Sequence, residues 1–215
     1  MLNKTFSTLS QIITPVTPEW SLVCRRKALG IMGSVGAAIV AGSQSASGFF
    51  SRKPTDPTLN YDELPAIWVE RQGRNLNGYV DFIANLKLGK ITVQQVISAH
   101  AKQKGSLWNS LPPQELWKNI GTTLKVIDYI SKSINVPVRE LVSIYRAPVY
   151  NARCAGAKRA SWHQTNFACD VTFHTNAATI TRTARSLRNR GLFRGGVGGY
   201  YGFTHIDSRG QNVDW

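Results

Sequence analysis

Hydrophobic positions recur at helical spacing between residues 61 and 135. In the segment NLNGYVDFIANLKLG, the apolar side chains fall on one helix face: Tyr79, Phe82, Ile83 and Leu86. Residues 91–102 repeat the pattern with Val93, Val96 and Ile97. A longer stripe over residues 114–135 comprises Leu116, Ile120, Leu124, Ile127, Ile130 and Ile134. These stripes predict a helical region over residues 61–135, with the apolar faces in a core.

The pattern changes at Val138. A β-prone run over residues 141–146 ends before Pro148, and residues 168–174 form a second short strand. Residues 179–191 predict a basic helix, with Gly191 as its stop and three side chains facing inward: Ile180, Ala184 and Leu187. Residues 203–207 predict a final strand. The chain is therefore expected to be an α+β protein whose helical N-terminal portion packs on a mostly antiparallel sheet.

A glycine-rich segment, RGGVGGYYG, precedes the last strand. A phosphate-binding loop needs a strand before it and a helix immediately after it. Here a strand follows, so the segment predicts a turn with close backbone packing.

The N-terminus resembles an export signal. Arg25-Arg26-Lys27 stands before an apolar run from Ala28 to Ala41, and small residues follow. Paired arginines ahead of a weakly hydrophobic run favour the twin-arginine route. We expect a twin-arginine-type signal peptide over residues 1–47 and a proline-containing linker over residues 48–60. The run is short for a bilayer, so no stable membrane span is expected after processing. A mis-assigned start codon or an amphipathic leader is the alternative.

The net charge of +14 predicts attraction to an anionic surface or polymer. The positive charges are spread along the chain and form no recognised nucleic-acid motif, so no nucleic-acid partner is expected. Anionic cell-wall material satisfies the same electrostatics. Cys154 and Cys169 follow the leader; either they form a disulfide, as an oxidising compartment allows, or they remain buried free thiols.

Two of the four histidines stand in chemically suggestive segments. SWHQTNFACD contains His163 and Asp170, and FTHIDSRGQNVDW contains His205. Imidazole nitrogen and carboxylate oxygen are zinc ligands, and a catalytic zinc site uses three protein ligands with one position open. The three residues are therefore candidate Zn²⁺ ligands. His100 stands among small residues and is expected to be a helix-surface or capping residue.

These motifs, with the run SIYRAPVYNARCAGAKRASWHQTNFACD, resemble the M15 zinc peptidases, which include D-alanyl-D-alanine carboxypeptidases and peptidoglycan endopeptidases. The closest likeness is to small exported members with a HID triplet. The resemblance covers residues 138–215, so an M15-like peptidase core is expected over 136–215. It implies zinc at His163, Asp170 and His205. It also implies that Arg146 binds a substrate carboxylate or stabilises the oxyanion, and that Ser161 hydrogen-bonds substrate; a turn serine is the simpler alternative.

The sequence leaves three alternatives for the general base. Many M15 enzymes carry ExxH or HxH at the last ligand, but this chain has Gly202 and Phe203 at those positions, and neither takes a proton. The base is then Asp207, another residue, or absent. Strand alternation places Asp207 on the face of His205, where it either orients the imidazole or holds the attacking water. Asn166 replaces a family glycine, and asparagine tolerates the left-handed conformation.

The resemblance implies zinc-dependent hydrolysis of D-amino-acid peptide bonds in peptidoglycan stem peptides, in the periplasm or cell envelope. Asp207 and Arg146 are the expected catalytic residues. The alternative is a non-catalytic zinc protein that binds cell wall, which the missing ExxH base permits.

Overall fold

The computed structural model describes residues 59–215, so the predicted signal peptide and nearly all of the linker lie outside the described residues. Six α-helices occur in this part of the chain: α1 (Ala66–Gln72), α2 (Arg74–Asn85), α3 (Val93–His100), α4 (Ile120–Ile134), α5 (Pro148–Asn151) and α6 (Ala177–Asn189). The strands are β1 (Gln103–Lys104), β2 (Leu107–Trp108), β3 (Val138–Ser143), β4 (Ala168–Phe173), β5 (Gly196–Gly199), β6 (Thr204–Asp207) and β7 (Val213–Asp214).

The helices follow the hydrophobic stripes of the sequence. A capping box between Thr92 and Gln95 starts α3, and Asn135 ends α4 in the left-handed conformation, with φ of 52°. The stripe over residues 114–135 is divided, because Gln114–Asn119 form a 3₁₀ helix before α4 begins. None of the helices within residues 59–215 is long and apolar enough to cross a membrane.

Five strands form one sheet in the order β3-β4-β6-β5-β7. Its neighbours are antiparallel, except that β5 and β7 run parallel. The strands β1 and β2 form a separate hairpin. The α+β class with a mostly antiparallel sheet is therefore confirmed.

One face of the sheet belongs to the hydrophobic core. Alternate residues of β4 and β6 join the buried apolar cluster that also includes α2, α3 and α4: Cys169, Val171, Phe173 and Ile206. Both α4 and α6 contact β4 and β6. The intervening residues, among them Asp170, His205 and Asp207, point to the opposite face and are also buried. The sheet thus separates an apolar layer from a layer of titratable side chains.

Three expectations about local structure are wrong. His100 is fully buried rather than on the surface, and its Nε2 lies 3.2 Å from the Tyr79 hydroxyl. The strand predicted over residues 141–146 lies at Val138–Ser143, because the chain bends after Ser143 and the Arg146 amide donates to the His163 carbonyl. The glycine-rich segment is not simply a turn, since Gly196–Gly199 pair with β6 as a strand.

Both cysteines within residues 59–215 are free thiols. Cys169 is buried in the core, where burial raises its pKa well above the ordinary value, whereas Cys154 is only half-buried. Of the two alternatives for Cys154 and Cys169, the structure therefore agrees with free thiols and not with a disulfide.

Candidate metal centre

The register of three strands brings the candidate ligands together. Asp170 on β4 stands opposite His205 on β6, and His205 stands opposite Gly198 on β5. Ser143 on β3 pairs with Asp170 from the other side. These residues form one row across the sheet. The third ligand, His163, reaches this row from the loop before β4.

Hydrogen bonds from the helical region hold the His163 loop. The Asn166 side chain donates to the Leu116 carbonyl, and the Thr123 hydroxyl donates to the Phe167 carbonyl. Asn166 is fully buried with φ of 59°, so asparagine does adopt the left-handed turn expected of it. The loop that carries His163 is therefore fixed against the start of α4 and the 3₁₀ helix before it.

His163 presents its Nε2 to the row. Its Nδ1 lies 2.6 Å from the Ile144 carbonyl oxygen, which only accepts, so Nδ1 carries a proton. The Nε2 lone pair then faces Asp170, whose Oδ1 is 3.2 Å away. Burial lowers the pKa of His163, which favours the neutral imidazole that metals bind.

Asp170 lies between the two imidazoles. Its Oδ1 accepts from His205 Nδ1 at 2.8 Å, and its Oδ2 accepts from the Arg146 guanidinium. Burial alone would raise the pKa of this carboxyl, but its polar neighbours, among them the hydrogen-bonded His205, hold the pKa far below its usual range. Asp170 is therefore an anion at neutral pH.

His205 is oriented by Asp207. Its Nε2 lies 3.0 Å from Asp207 Oδ2, so the opposite nitrogen, Nδ1, points to Asp170 and His163. Burial lowers the pKa of His205, but the hydrogen bonds to Asp170 and Asp207 raise it by a larger amount. The net pKa therefore lies above the ordinary value for histidine. A carboxylate on the outer nitrogen is the common arrangement for metal-bound histidine.

Asp207 is fully buried and its oxygens are occupied. Oδ1 accepts from the amides of Gly196 and Arg209 and from Arg209 Nε; Oδ2 accepts from His205 and from Arg209 Nη2. These bonds outweigh the effect of burial and hold the pKa of Asp207 far below normal. The contacts favour the orienting role and weigh against the role of water-holding base, which stays a prediction.

The donor set fits a zinc ion. One ligand atom from each of His163, Asp170 and His205 lies within 4.8 Å of the others, and all three residues are buried. Each histidine has its outer nitrogen bonded to an oxygen, which leaves the inner nitrogen as a ligand. These three side chains would hold the metal that the sequence motifs imply.

Arg146 lies beside this centre. It bridges Asp170 and the Ser143 hydroxyl, the latter at 2.7 Å. Its segment is fixed by the buried Asn109, whose side chain donates to the Tyr145 carbonyl and accepts from the Ala147 amide. Sequence reasoning missed Asn109, because it lies some 37 residues from Arg146 and no motif connects them. The guanidinium is therefore held at the edge of the candidate metal ligands.

The other predicted positions have local contacts. The Ser161 hydroxyl accepts from the His163 amide at 3.3 Å, as a turn serine does. A contact between Ser161 and substrate stays a prediction. Phe203 stacks on Tyr200, with ring centroids 4.5 Å apart, and Gly202 is exposed. Neither position carries a proton acceptor.

Sequence reasoning also missed Arg209 and Trp215. The Arg209 guanidinium lies between the indoles of Trp162 and Trp215, at 5.0 Å and 5.2 Å from their centroids. The Trp215 ring is 5.1 Å from that of His205. The sequence did hold one signal for Arg209: it stands two residues after Asp207, close enough for the two side chains to form an ion pair.

Comparison with known proteins gives one match. A family model described as Peptidase M15 matches residues 90–207, which is more than half of the chain. This range begins just before α3 and ends at Asp207, so it includes all three candidate ligands. Neither the curated proteins nor the solved structures include a match to the chain.

Proposed function

The chain belongs to the M15 peptidase family, and on that premise we propose that it is a zinc-dependent hydrolase of D-amino-acid peptide bonds in peptidoglycan, acting as a carboxypeptidase or an endopeptidase. The observation that carries the proposal is the convergence of His163, Asp170 and His205 on one buried point. Family membership supports a metallopeptidase, and the expected resemblance to cell-wall enzymes supplies the finer substrate class.

Zinc at this point would polarise the scissile carbonyl and make a water nucleophilic at neutral pH. The neighbouring side chains prepare the site. Asp207 holds the His205 ring with Nδ1 inward, and the Ile144 carbonyl holds His163 with Nε2 inward. In our proposal, the Arg146 guanidinium stabilises negative charge that develops on the substrate oxygen, since its planar donors suit an oxyanion or a carboxylate.

We also propose where the protein acts and on what. The arginine pair and apolar run within residues 1–47 support export to the periplasm or cell envelope by the twin-arginine route. The net charge of +14 supports association with anionic cell-wall material. Stem peptides of peptidoglycan are the proposed partners, and no nucleic acid is expected.

The test is digestion of purified peptidoglycan by the zinc-loaded protein, with soluble products read by mass spectrometry. Release of D-alanine or loss of cross-linked dimers supports the proposal and names the bond that is cut. His163→Ala removes one ligand and is expected to abolish the products. An absence of product from a zinc-containing wild-type protein would contradict the assigned substrate.

A second candidate is a zinc-containing protein that binds cell wall without cleaving it. The specific observation in its favour is that the hydrogen bonds of Asp207 occupy both of its oxygens, while Gly202 and Phe203 offer no base. Pelleting with intact peptidoglycan tests it. Zinc-dependent pelleting without soluble products would favour this candidate, whereas turnover would exclude it.

A further inference from the structure

The metal centre has an outer layer that its ligands alone do not explain. Arg209 is clamped between Trp162 and Trp215 and contacts both oxygens of Asp207. We propose that this clamp, consisting of Trp162, Arg209 and Trp215, is a positioning device that fixes the His205 ring through Asp207. The proposal rests on the metal site of the proposed function, but on no particular substrate.

The geometry of the ion pair supports the proposal. Arg209 donates Nε to Oδ1 and Nη2 to Oδ2, so the fork of the guanidinium matches the two carboxylate oxygens. The backbone amide of Arg209 is its third donor to the carboxylate, and it also binds Oδ1. With its oxygens held in this way, the Asp207 carboxylate cannot turn without breaking several bonds. The acceptor for His205 Nε2 therefore has a fixed direction.

The indoles strengthen that ion pair. The Arg209 side chain is only 15% exposed, because Trp162 and Trp215 lie against its guanidinium. A guanidinium is weakly hydrated and stacks readily on aromatic faces. Excluding water lowers the local dielectric constant and increases the attraction between Arg209 and Asp207. The clamp thus restrains a side chain that would otherwise sample other rotamers.

The clamp connects separate elements of the fold. Trp162 belongs to the loop of His163 and packs edge-on against Phe167. Trp215 follows β7, where its indole donates to the Tyr200 hydroxyl at 2.8 Å. Its amide donates to the Val197 carbonyl on β5. Arg209 consequently links the His163 loop to the far edge of the sheet, across the strand of His205.

Glycines on β5 make room for the clamp. A Cβ at Gly196 would lie 2.5 Å from Asp207 Oδ2, 2.8 Å from Arg209 Nη2 and 3.0 Å from Trp215 Cζ3. A Cβ at Gly198 would collide with the Trp215 indole. Both positions share one face of the strand. Glycine is therefore needed on this face of β5, because a side chain there would occupy the space of the Arg209–Asp207 ion pair and of the Trp215 indole.

The test uses Arg209→Gln and Arg209→Lys in the full chain, with exposed Arg190→Gln as the matched control. Zinc affinity is measured by chelator competition, and we expect about a tenfold loss for Arg209→Gln, as when an outer partner of a ligand is removed. Arg209→Lys keeps the charge but not the fork, so it is expected to recover only part of the affinity. Arg190→Gln is expected to match the wild type.

A second readout reports on His205 directly. In the Co²⁺-substituted protein, proton spectra resolve the exchangeable ring N–H of each ligand histidine. We expect faster solvent exchange of the His205 Nε2 proton in Arg209→Gln, while the His163 Nδ1 proton, bonded to Ile144, is unchanged and serves as an internal control. Zinc affinity and His205 exchange equal to the wild type in Arg209→Gln would overturn the proposal.

A variant outside the ion pair guards against misfolding. Trp162→Leu removes one side of the clamp from an already exposed position and leaves the contacts of Arg209 with Asp207 in place. We expect about threefold faster His205 N–H exchange, in line with the loss of one stacking contact. Should Arg209→Gln not fold, unchanged exchange in Trp162→Leu would overturn the proposal.

The outcomes also separate this inference from the proposed function. A protein that binds both metals and responds as expected, yet leaves peptidoglycan intact, would contradict the proposed function alone. Cleavage of peptidoglycan with metal binding indifferent to Arg209 would contradict this inference alone. A wild-type chain that binds neither metal would contradict both.

Discussion

His205 and Asp207 lie two residues apart on β6, and Nε2 of the histidine is 3.0 Å from Oδ2 of the carboxylate. The contact turns Nδ1 of His205 to within 2.8 Å of Asp170. Asp207, on the same strand, therefore determines which ring nitrogen of His205 faces the other two candidate ligands.

Asp207→Asn is expected to weaken zinc binding. An amide cannot pair with Arg209 as an anion does, and the loss of a carboxylate behind a ligand histidine typically costs roughly 10–100-fold in metal affinity. Chelator competition measures the affinity, and Asp81→Asn, an exposed carboxylate on α2, is the control. If Asp207 is instead the base, turnover falls while zinc affinity is retained, and that result would contradict the orienting role.

Arg146→Gln is expected to reduce turnover by roughly 10²–10³-fold, the usual effect of removing a donor to a developing oxyanion. At saturating zinc the metal content should be retained, because the three candidate ligands remain. The control is Arg139→Gln, which changes an exposed arginine on β3 that contacts Thr172. Wild-type turnover in Arg146→Gln would leave Arg146 with only structural contacts, its ion pair to Asp170 and its hydrogen bond to Ser143.

Gly198→Ala is expected to destabilise the fold by about 1–3 kcal/mol, as overpacking of a filled site does. The added methyl group would collide with the Trp215 indole, and that ring also contacts His205. Gly202→Ala is the matched control, since a Cβ there meets nothing within 4 Å. Denaturant unfolding measures both variants, and equal midpoints would show that Trp215 is not seated against Gly198.

Acid should destabilise the protein through His100. Burial lowers the pKa of this histidine to about 3, below the value of about 6.5 in an unfolded chain. The unfolded state then binds the proton first as the pH falls. The contribution of His100 is fully present above about pH 6.5 and is lost progressively towards pH 3, with about 2 kcal/mol lost between pH 7.5 and pH 5.

Comparison of variants isolates this effect from the carboxylates. His100→Gln is expected to unfold with a flatter pH dependence than the wild type between pH 7.5 and pH 5. Exposed His174→Gln should retain the wild-type slope. Parallel slopes for wild type and His100→Gln would mean that His100 binds its proton equally well in the folded and unfolded states, which would contradict the lowered pKa.

Patterns of local chemistry predicted the parts of the site that lie close together in the sequence. Alternation along β6 placed His205 and Asp207 on one face, and helical spacing placed Ile180, Ala184 and Leu187 inward on α6, where all three are buried. The resemblance to M15 peptidases supplied the candidate ligands, since spacing alone does not distinguish ligand histidines from packed ones.

The remaining features depend on contacts between distant segments. His100 has small residues beside it in the sequence, yet its partner Tyr79 comes from another helix. β5 is a strand despite its glycines, because pairing with β6 and β7 and the seat for Trp215 outweigh their low strand propensity. The Trp162–Arg209–Trp215 clamp joins two loops and a strand end, and no period in the sequence marks it.

The measurement that tests the central claim most directly is zinc stoichiometry together with peptide hydrolysis, in the wild type and in Asp170→Asn. Elemental mass spectrometry of the purified proteins gives the metal content, and release of products from peptidoglycan gives the activity. We predict one zinc per wild-type chain, with metal and hydrolysis lost together in the variant. A variant that still binds zinc stoichiometrically and still cleaves would contradict the assignment of His163, Asp170 and His205 as the catalytic metal site.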